Sequence, residues 1–307
     1  MTPLPDRARR AFLRACELDV RVRKPGNVSL ASPGHGMDAA LFLASARAAA
    51  GPLCAPGARV GQRVETAQHA SWQAAGCNTN LGILLLCAPV ALARERQPEA
   101  GTASALRAAI NEVLAALAID DAQAAYRAIA GANPGGLGDA AEQDVHQPPS
   151  VDLRAAMALA ADRDSIALQY RDGYAQVFEI GLAALGSGFA PGLDDPQCAP
   201  PRAATVAAVQ RAYLAWLSAL PDSHIARKHG PALADAVMRQ ARPWHALSLA
   251  GADLDADPAF AAWDAALKAD GLNPGTTADL TVASMMIAGL LETPALLSQS
   301  VPKRDRA

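Results

Sequence analysis

The chain has 307 residues, of which 51% are hydrophobic and 19% are charged, with 27 Lys and Arg residues against 30 Asp and Glu residues. This composition is typical of a globular protein and excludes the disordered, collagen-like and disulfide-scaffold classes. A net charge of -3 without a basic stripe argues against nucleic acid as a partner. Aromatic residues make up only 4%, so Ala, Leu and Val supply most of the hydrophobic fraction. Because Ala and Leu are strong helix formers, we expect an all-α fold.

Apolar residues recur with the 3.6-residue period of an α-helix along most of the chain, whereas the alternation typical of strands is rare. For example, Val206, Val209, Tyr213, Leu217 and Leu220 repeat at intervals of three or four residues. The pattern predicts helices over 6–22, 37–50, 60–75, 79–94, 103–118, 120–130, 152–170, 173–186, 203–219, 224–240, 256–269 and 277–292.

Two stretches rich in Gly and Pro, 131–150 and 186–201, interrupt this pattern. Either could be a linker, but loops of this length inside a domain are often functional. Apolar helical stripes continue on both sides of each stretch. We therefore predict a single compact domain over 1–300 and a flexible tail over 301–307, and leave the role of the two stretches open.

The longest apolar run, Leu81–Ala93, is shorter than the roughly 20 residues that a membrane span needs. The first residues are rich in Arg and lack the apolar core of a signal peptide. We therefore expect a cytoplasmic protein without a membrane partner. The sequence leaves monomer and homodimer open.

Four clusters of Gly, Asn, Pro and Thr lie just before predicted helices, at 24–27, 32–38, 76–80 and 272–279. A helix start offers unpaired backbone N–H groups and the positive end of the helix dipole, so several starts that converge would bind a polyphosphate. The alternative is ordinary helix capping, for which Asn and Thr are common. The candidate nucleotide-binding residues in these turns are Lys24, Gly26, Asn27, Asn78, Thr79, Asn80, Asn273, Gly275, Thr276 and Thr277.

The segment 220–230 places an acid and two cations within one short predicted helix. Asp222 either caps this helix or holds a hydrated cation. Arg227 and Lys228 either form a solvated face or neutralise phosphate oxygens. Asp38 and Asp279 stand next to two of the Gly-rich turns, so we predict that Asp38, Asp222 and Asp279 hold Mg²⁺ bound to phosphates.

Two residues are candidates for the proton acceptor. His35 has the best placed pKa for deprotonating an acceptor hydroxyl near neutral pH. Glu65 is a weaker candidate, since with His69 it also fits an ordinary helical pair four residues apart. The sequence contains no Walker-type phosphate loop, no dinucleotide-binding glycine fingerprint and no HExxH zinc motif. A helical protein that handles nucleotides without those motifs is the resulting hypothesis.

The order of these motifs resembles that of the ATP:dephospho-CoA triphosphoribosyltransferase family. The resemblance covers about residues 10 to 292. The motifs that carry it are Lys24-Pro25-Gly26-Asn27, Gly34-His35-Gly36-Met37-Asp38, Asn78-Thr79-Asn80-Leu81-Gly82, Asp222 to Gly230 and Asn273-Pro274-Gly275-Thr276-Thr277-Ala278-Asp279.

The resemblance implies an all-α enzyme that uses ATP as a 5-triphosphoribosyl donor. In that reaction the 2'-hydroxyl of dephospho-CoA attacks C1 of the ATP ribose, adenine leaves and the triphosphate stays attached. A nearby carboxylate would stabilise the oxocarbenium-like state, and Mg²⁺ with Lys or Arg would restrain the triphosphate. Asp279 and Asp222, with His35 and Glu65, are the candidate catalytic residues.

The chain departs from the family pattern at three motifs. The family resembles Asn-Thr-His-Lys-Gly where this chain has Asn78 to Gly82, and His-Arg-Gly-Gly where it has Arg227 to Gly230. It also resembles Ser-Pro-Gly-Gly-Ser-Ala-Asp where this chain has Asn273 to Asp279. ATP as donor is therefore better indicated than dephospho-CoA as acceptor. Two alternatives stay open: a related ATP-dependent step in another cofactor pathway of the tetrahydromethanopterin type, and a non-catalytic helical nucleotide-binding protein.

Overall fold

The computed structural model describes residues 4–34, 38–134, 142–187, 189–193 and 200–291. All the regular secondary structure of these residues is helical, apart from one isolated β-bridge between Ser29 and Ser32. The all-α prediction is therefore confirmed. The predicted tail over 301–307, His35 and parts of both Gly-rich stretches lie outside the described residues. The helices are α1 (Leu4–Arg21), α2 (Ala39–Leu53), α3 (Val60–Ala75), α4 (Leu81–Arg96), α5 (Ala103–Ala115), α6 (Ile119–Ala132), α7 (Leu153–Ala160), α8 (Ser165–Asp172), α9 (Ala183–Leu185), α10 (Ala203–Ala219), α11 (Ser223–His229), α12 (Pro231–Leu249), α13 (Pro258–Ala269) and α14 (Gly275–Leu290).

Helices α4 and α14 form the centre of the domain. Nearly every residue of both helices is buried, which is the pattern of a helix surrounded by others. Helix α14 packs against α1, α4 and α10. Across the described part of the chain, the helices are too short or too polar to cross a membrane. The apolar run Leu81–Ala93 is therefore a core helix, and its first turn lies close to the first turn of α14.

Two predicted helices are each divided in the structure, so those predictions were wrong. The helix predicted over 152–170 breaks before α8, because the Asp164 carboxylate accepts hydrogen bonds from the backbone N–H groups of Ile166 and Ala167. The helix predicted over 224–240 breaks at Gly230, whose φ of 92° does not fit a helix. Pro231 then starts α12, a position that suits its missing N–H group. The stretch Val177–Leu182, predicted as α-helix, is a π-helical turn.

A smaller apolar cluster joins α10, α12 and α13. Trp244 stacks on Trp263 and contacts the edge of Phe260, with ring centres 6.1 and 5.1 Å apart. This packing fixes α13, whose Asp264 accepts a hydrogen bond from the backbone N–H of Gly26 at 2.8 Å. Helix α13 thus anchors the turn that follows α1.

Candidate active site

The turns at 24–27 and 272–275 pack directly against each other. Gly26 has a φ of 80°, and a Cβ atom there would lie 2.7 Å from Pro274 Cδ and 2.9 Å from the Leu272 carbonyl oxygen. Only glycine permits this approach without strain. Asn27 Nδ2 donates to Asn273 Oδ1 at 2.9 Å across the contact. Two motifs that are 246 residues apart in sequence therefore form one polar surface.

Asp222 links the starts of α11 and α14. It is 2% exposed and caps α11 by accepting from the Ile225 backbone N–H at 3.0 Å. Its second oxygen accepts from both the backbone N–H and the hydroxyl of Thr277 at 2.8 Å. Ser223 in turn accepts from the Ser165 backbone N–H at 2.9 Å. The first turns of α8, α11 and α14 are therefore joined through side-chain hydrogen bonds.

These joined helix starts border a cavity of about 680 Å³. One part of its wall is apolar and comes largely from α6 and α7, including Tyr126, Ile129, Leu153 and Met157. The sequence-predicted residues that line it are Asn27, Asn78, Thr79, Arg227, Lys228, Asn273, Gly275, Thr276 and Asp279. The polar residues that sequence reasoning did not select are Asp19, Asp164, Arg163 and His224, together with Glu142, Gln143 and Asp144 beside the first Gly-rich stretch.

Asp279 lies in the cavity wall against the first turn of α4. A Cβ atom on Gly82 would lie 2.0 Å from Asp279 Oδ2, so the carboxylate occupies space that any other residue would fill. Burial, and then the nearby carboxylates of Asp19 and Asp222, raise the pKa of Asp279 well above its usual value, while Arg227 opposes this. Such a site favours a proton or a bound cation.

Asp19 is a second carboxylate in the wall, on the last turn of α1. It forms an ion pair with Lys24 at 3.0 Å. Burial raises the pKa of Asp19, and the charge of Lys24 lowers it in part. Asp19 falls on the same helical face as the buried Phe12 and Cys16. A charged residue within an apolar stripe was the signal in the sequence that could have identified it.

Asp164 and Arg227 form an ion pair in the wall at 2.7 Å. Asp164 also caps α8 through its other oxygen, so the guanidinium of Arg227 is tied to the start of that helix. Sequence reasoning missed Asp164 because it placed this residue inside one long helix. Lys228 lines the cavity beside Arg227.

Several other sequence-predicted residues lie behind or away from the described cavity lining. Lys24, Gly26, Asn80, Thr277 and Asp222 are buried. Asn80, for example, accepts a hydrogen bond from the Ser71 hydroxyl at 2.7 Å.

Glu65 and Asp38 have partners of their own. Glu65 forms a two-bond ion pair with Arg127 of α6, at 2.6 and 2.9 Å. Asp38 is exposed and caps α2 by accepting from the Leu41 backbone N–H. Neither lines the cavity within the part of the chain that the structure describes.

Comparison with known proteins identifies the family. A sequence profile of the ATP:dephospho-CoA triphosphoribosyl transferase family matches residues 5–296. No curated protein matches the chain. The fold is similar to the crystal structure of a protein from Archaeoglobus fulgidus assigned as a triphosphoribosyl-dephospho-CoA synthase. That similarity has a TM-score of 0.60 and 24% identity over 80% of this chain and 97% of that chain. The chain therefore belongs to the ATP:dephospho-CoA triphosphoribosyl transferase family, whose reaction is triphosphoribosyl transfer from ATP to dephospho-CoA.

Proposed function

We propose that this chain transfers the 5-triphosphoribosyl group of ATP to 3'-dephospho-CoA within the described cavity. The C1–N bond to adenine breaks and a new C1–O bond forms to the 2'-hydroxyl of the acceptor. The hydroxyl gives up its proton, and adenine leaves as the neutral base after gaining one. The observation that carries the proposal is that three of the four Gly- and Asn-rich turns, together with α11, converge on one cavity with Asp279 in its wall. The alternatives of another cofactor pathway and of a non-catalytic binder are not favoured.

The cations of the wall are suited to the triphosphate. Arg227 and Lys228 line the cavity on neighbouring positions of α11. A guanidinium binds phosphate oxygens in a fixed planar geometry. Because Asp164 already holds Arg227 at 2.7 Å, the guanidinium is ordered before the substrate arrives. This lowers the entropy lost when ATP binds.

The carboxylates of the wall are suited to positive charge. Among the described residues, Asp279 has no counter-ion as close as the one that Lys24 gives Asp19. The carboxylate neighbours of Asp279 favour a cation beside it. We propose that Asp279 stabilises the positive charge that develops on the ribose ring.

One carboxylate of the wall also fits Mg²⁺. No group of three or more His, Cys, Asp and Glu side chains in the described residues is placed to hold a metal ion. Mg²⁺ bound to a nucleotide, however, needs only one or two carboxylates besides phosphates and waters. Of the three predicted ligands, Asp222 has both oxygens engaged by backbone and hydroxyl donors, and Asp38 lies outside the described lining. Asp19 is already paired with Lys24. Asp279 is therefore the carboxylate that fits, and Mg²⁺ there would neutralise phosphate charge.

The proton acceptor for the 2'-hydroxyl is proposed to be an imidazole. His35 is the candidate from the sequence, and it lies outside the described residues. His224 lies in the cavity wall beside Gly275. Replacement of each by Asn decides between them, because loss of the base should lower turnover mainly at high pH, where a wild-type imidazole is neutral and can accept a proton. Loss of a binding residue should instead raise KM at every pH.

The experiment that tests the function is incubation of the pure protein with ATP, Mg²⁺ and 3'-dephospho-CoA. We expect adenine to appear by liquid chromatography together with an acceptor whose mass has increased by one triphosphoribosyl group. Adenine released without an acceptor would indicate hydrolysis instead, and ATP binding without adenine would indicate a binding protein. Asp279→Asn should abolish adenine release. Asp120→Asn is the matched control, because Asp120 lies exposed on α6.

A further inference from the structure

Lys24 lies behind the cavity wall and has no exposed surface. Its Nζ atom is 3.0 Å from Asp19 Oδ1, donates a hydrogen bond to Asn27 Oδ1 and lies 5.8 Å from the centre of the Tyr213 ring. A Lys ammonium has three donors and no acceptor. Moving it into the cavity would leave the Asp19 carboxylate buried without its counter-ion, which is strongly destabilising. Lys24 is therefore held in place and can only donate to its neighbours.

The charge of Lys24 determines how two asparagine amides point. Because Lys24 only donates, Asn27 must turn its amide oxygen toward Nζ, and its NH₂ group then points away from Lys24. That NH₂ group donates to Asn273 Oδ1 at 2.9 Å. An amide whose oxygen accepts from one neighbour keeps its NH₂ group for another partner. Since Asn273 lines the cavity, its NH₂ group is the part of the side chain presented to a ligand.

We propose that Lys24 is a positioning residue for the nucleotide, which orients Asn27 so that Asn273 presents a hydrogen-bond donor to an oxygen of bound ATP. The inference rests on the proposed function, because it takes ATP to be the ligand. It replaces the direct contact between Lys24 and phosphate that the sequence suggested. A reversed amide on Asn273 would instead present its oxygen to ATP, and the ionised phosphate oxygens of ATP cannot donate a hydrogen bond to it.

The test is a double-mutant cycle read by the binding of MgATP in isothermal titration calorimetry. An Asp19→Asn background is used, so that replacing Lys24 does not leave a buried carboxylate unpaired. Lys24→Met, Asn273→Ala and their combination are compared in that background. Loss of one hydrogen bond to a charged acceptor weakens binding by about tenfold or more. We expect this from each single replacement, and no further loss from their combination, because both remove the same donor.

A second cycle leaves the ion pair between Lys24 and Asp19 intact and does not depend on the folding of the first background. It combines Asn27→Ala with Asn273→Ala, and we again expect the combined variant to bind MgATP as Asn273→Ala does. Thermal unfolding of each variant shows that the compared proteins are folded. A merely structural Lys24 would change the melting temperature without this coupling in nucleotide affinity.

Two results would overturn the proposal. One is a Lys24→Met variant that binds MgATP as its background does. The other is a combined variant about 100-fold weaker than the background, since independent contacts multiply. Adenine release by the wild type is measured in parallel: its absence, with MgATP still bound, contradicts the proposed function while the cycles still report on Lys24. A wild type that does not bind MgATP contradicts both.

Discussion

Replacing Gly82 by Ala tests whether the position of Asp279 matters for turnover. The new Cβ atom would lie 2.0 Å from Asp279 Oδ2, 2.7 Å from its Cγ and 2.8 Å from Ile166 Cδ1. Contacts under 3.0 Å essentially never occur for a real Cβ atom. The Asp279 carboxylate must therefore retreat by at least about 1 Å, or α4 must move.

The expected magnitudes follow from that displacement. Overpacking a buried site costs about 1–3 kcal/mol of folding free energy. A reacting or charge-stabilising group displaced by about 1 Å can lower the rate by about 100-fold. We therefore expect Gly82→Ala to remain folded with a lower melting temperature, and to lose about 100-fold in kcat/KM. The loss should appear mainly in kcat, because Arg227 and Lys228 still hold the triphosphate.

The assay is adenine release under saturating ATP and 3'-dephospho-CoA, together with thermal unfolding. Gly131→Ala is the matched control, because Gly131 also lies in a helix and a Cβ atom there would have no neighbour within 4 Å. That replacement should raise stability by about 0.5–1 kcal/mol and leave turnover unchanged. A Gly82→Ala enzyme with normal kcat would refute the reasoning, since it would show that turnover does not require the observed position of the Asp279 carboxylate.

Three further predictions concern the carboxylates. Burial and neighbouring acids raise the pKa of Asp279 in the folded state, so the native protein retains this proton where the unfolded chain has released it. The contribution of Asp279 to the free energy of unfolding should therefore fall as pH rises above the ordinary Asp value of 3.8, and Asp279→Asn should become progressively more stable relative to the wild type over that range. Urea unfolding at a series of pH values measures the difference, and a constant difference would contradict the raised pKa. Asp222→Ala should cost about 3 kcal/mol, because it removes a helix cap and leaves the buried Thr277 N–H unsatisfied, which denaturant unfolding checks. Glu65→Gln should keep full turnover and lose under about 1 kcal/mol, because Glu65 pairs with Arg127 at a partly exposed site; a large loss of adenine release would return Glu65 to the catalytic site.

The local pattern of the sequence was sufficient to predict the helices. Periodic apolar residues placed most elements within a few residues of their observed bounds, and the apolar run Leu81–Ala93 became a core helix. The prediction failed at Asp164 and Gly230, where a side-chain cap and a positive φ interrupt a continuing apolar stripe. The periodicity of apolar residues shows which face of a helix is buried. It does not reveal a break in the helix when the apolar residues on both sides of the break keep the same spacing.

The sequence also identified the turns that border the cavity, because Gly, Asn, Pro and Thr are needed wherever a chain turns tightly before a helix. It could not assign the carboxylates. Asp222, Asp164 and Asp279 are all acids near helix starts, and each has a different environment in the structure. Asp222 accepts hydrogen bonds from the backbone of α11 and α14. Asp164 caps α8 and forms an ion pair with Arg227. The Asp279 carboxylate lies against Gly82.

What the sequence determined by itself was therefore the helical fold, the family and the set of polar turns. Only the tertiary structure decided which of those side chains face the cavity and which form hydrogen bonds or ion pairs with other groups of the protein. The physical reason is that a carboxylate or an ammonium takes its role from the donors and charges within a few ångströms of it. For Asp222 and Arg227 those neighbours include Thr277 and Asp164, which lie 55 and 63 residues away in sequence.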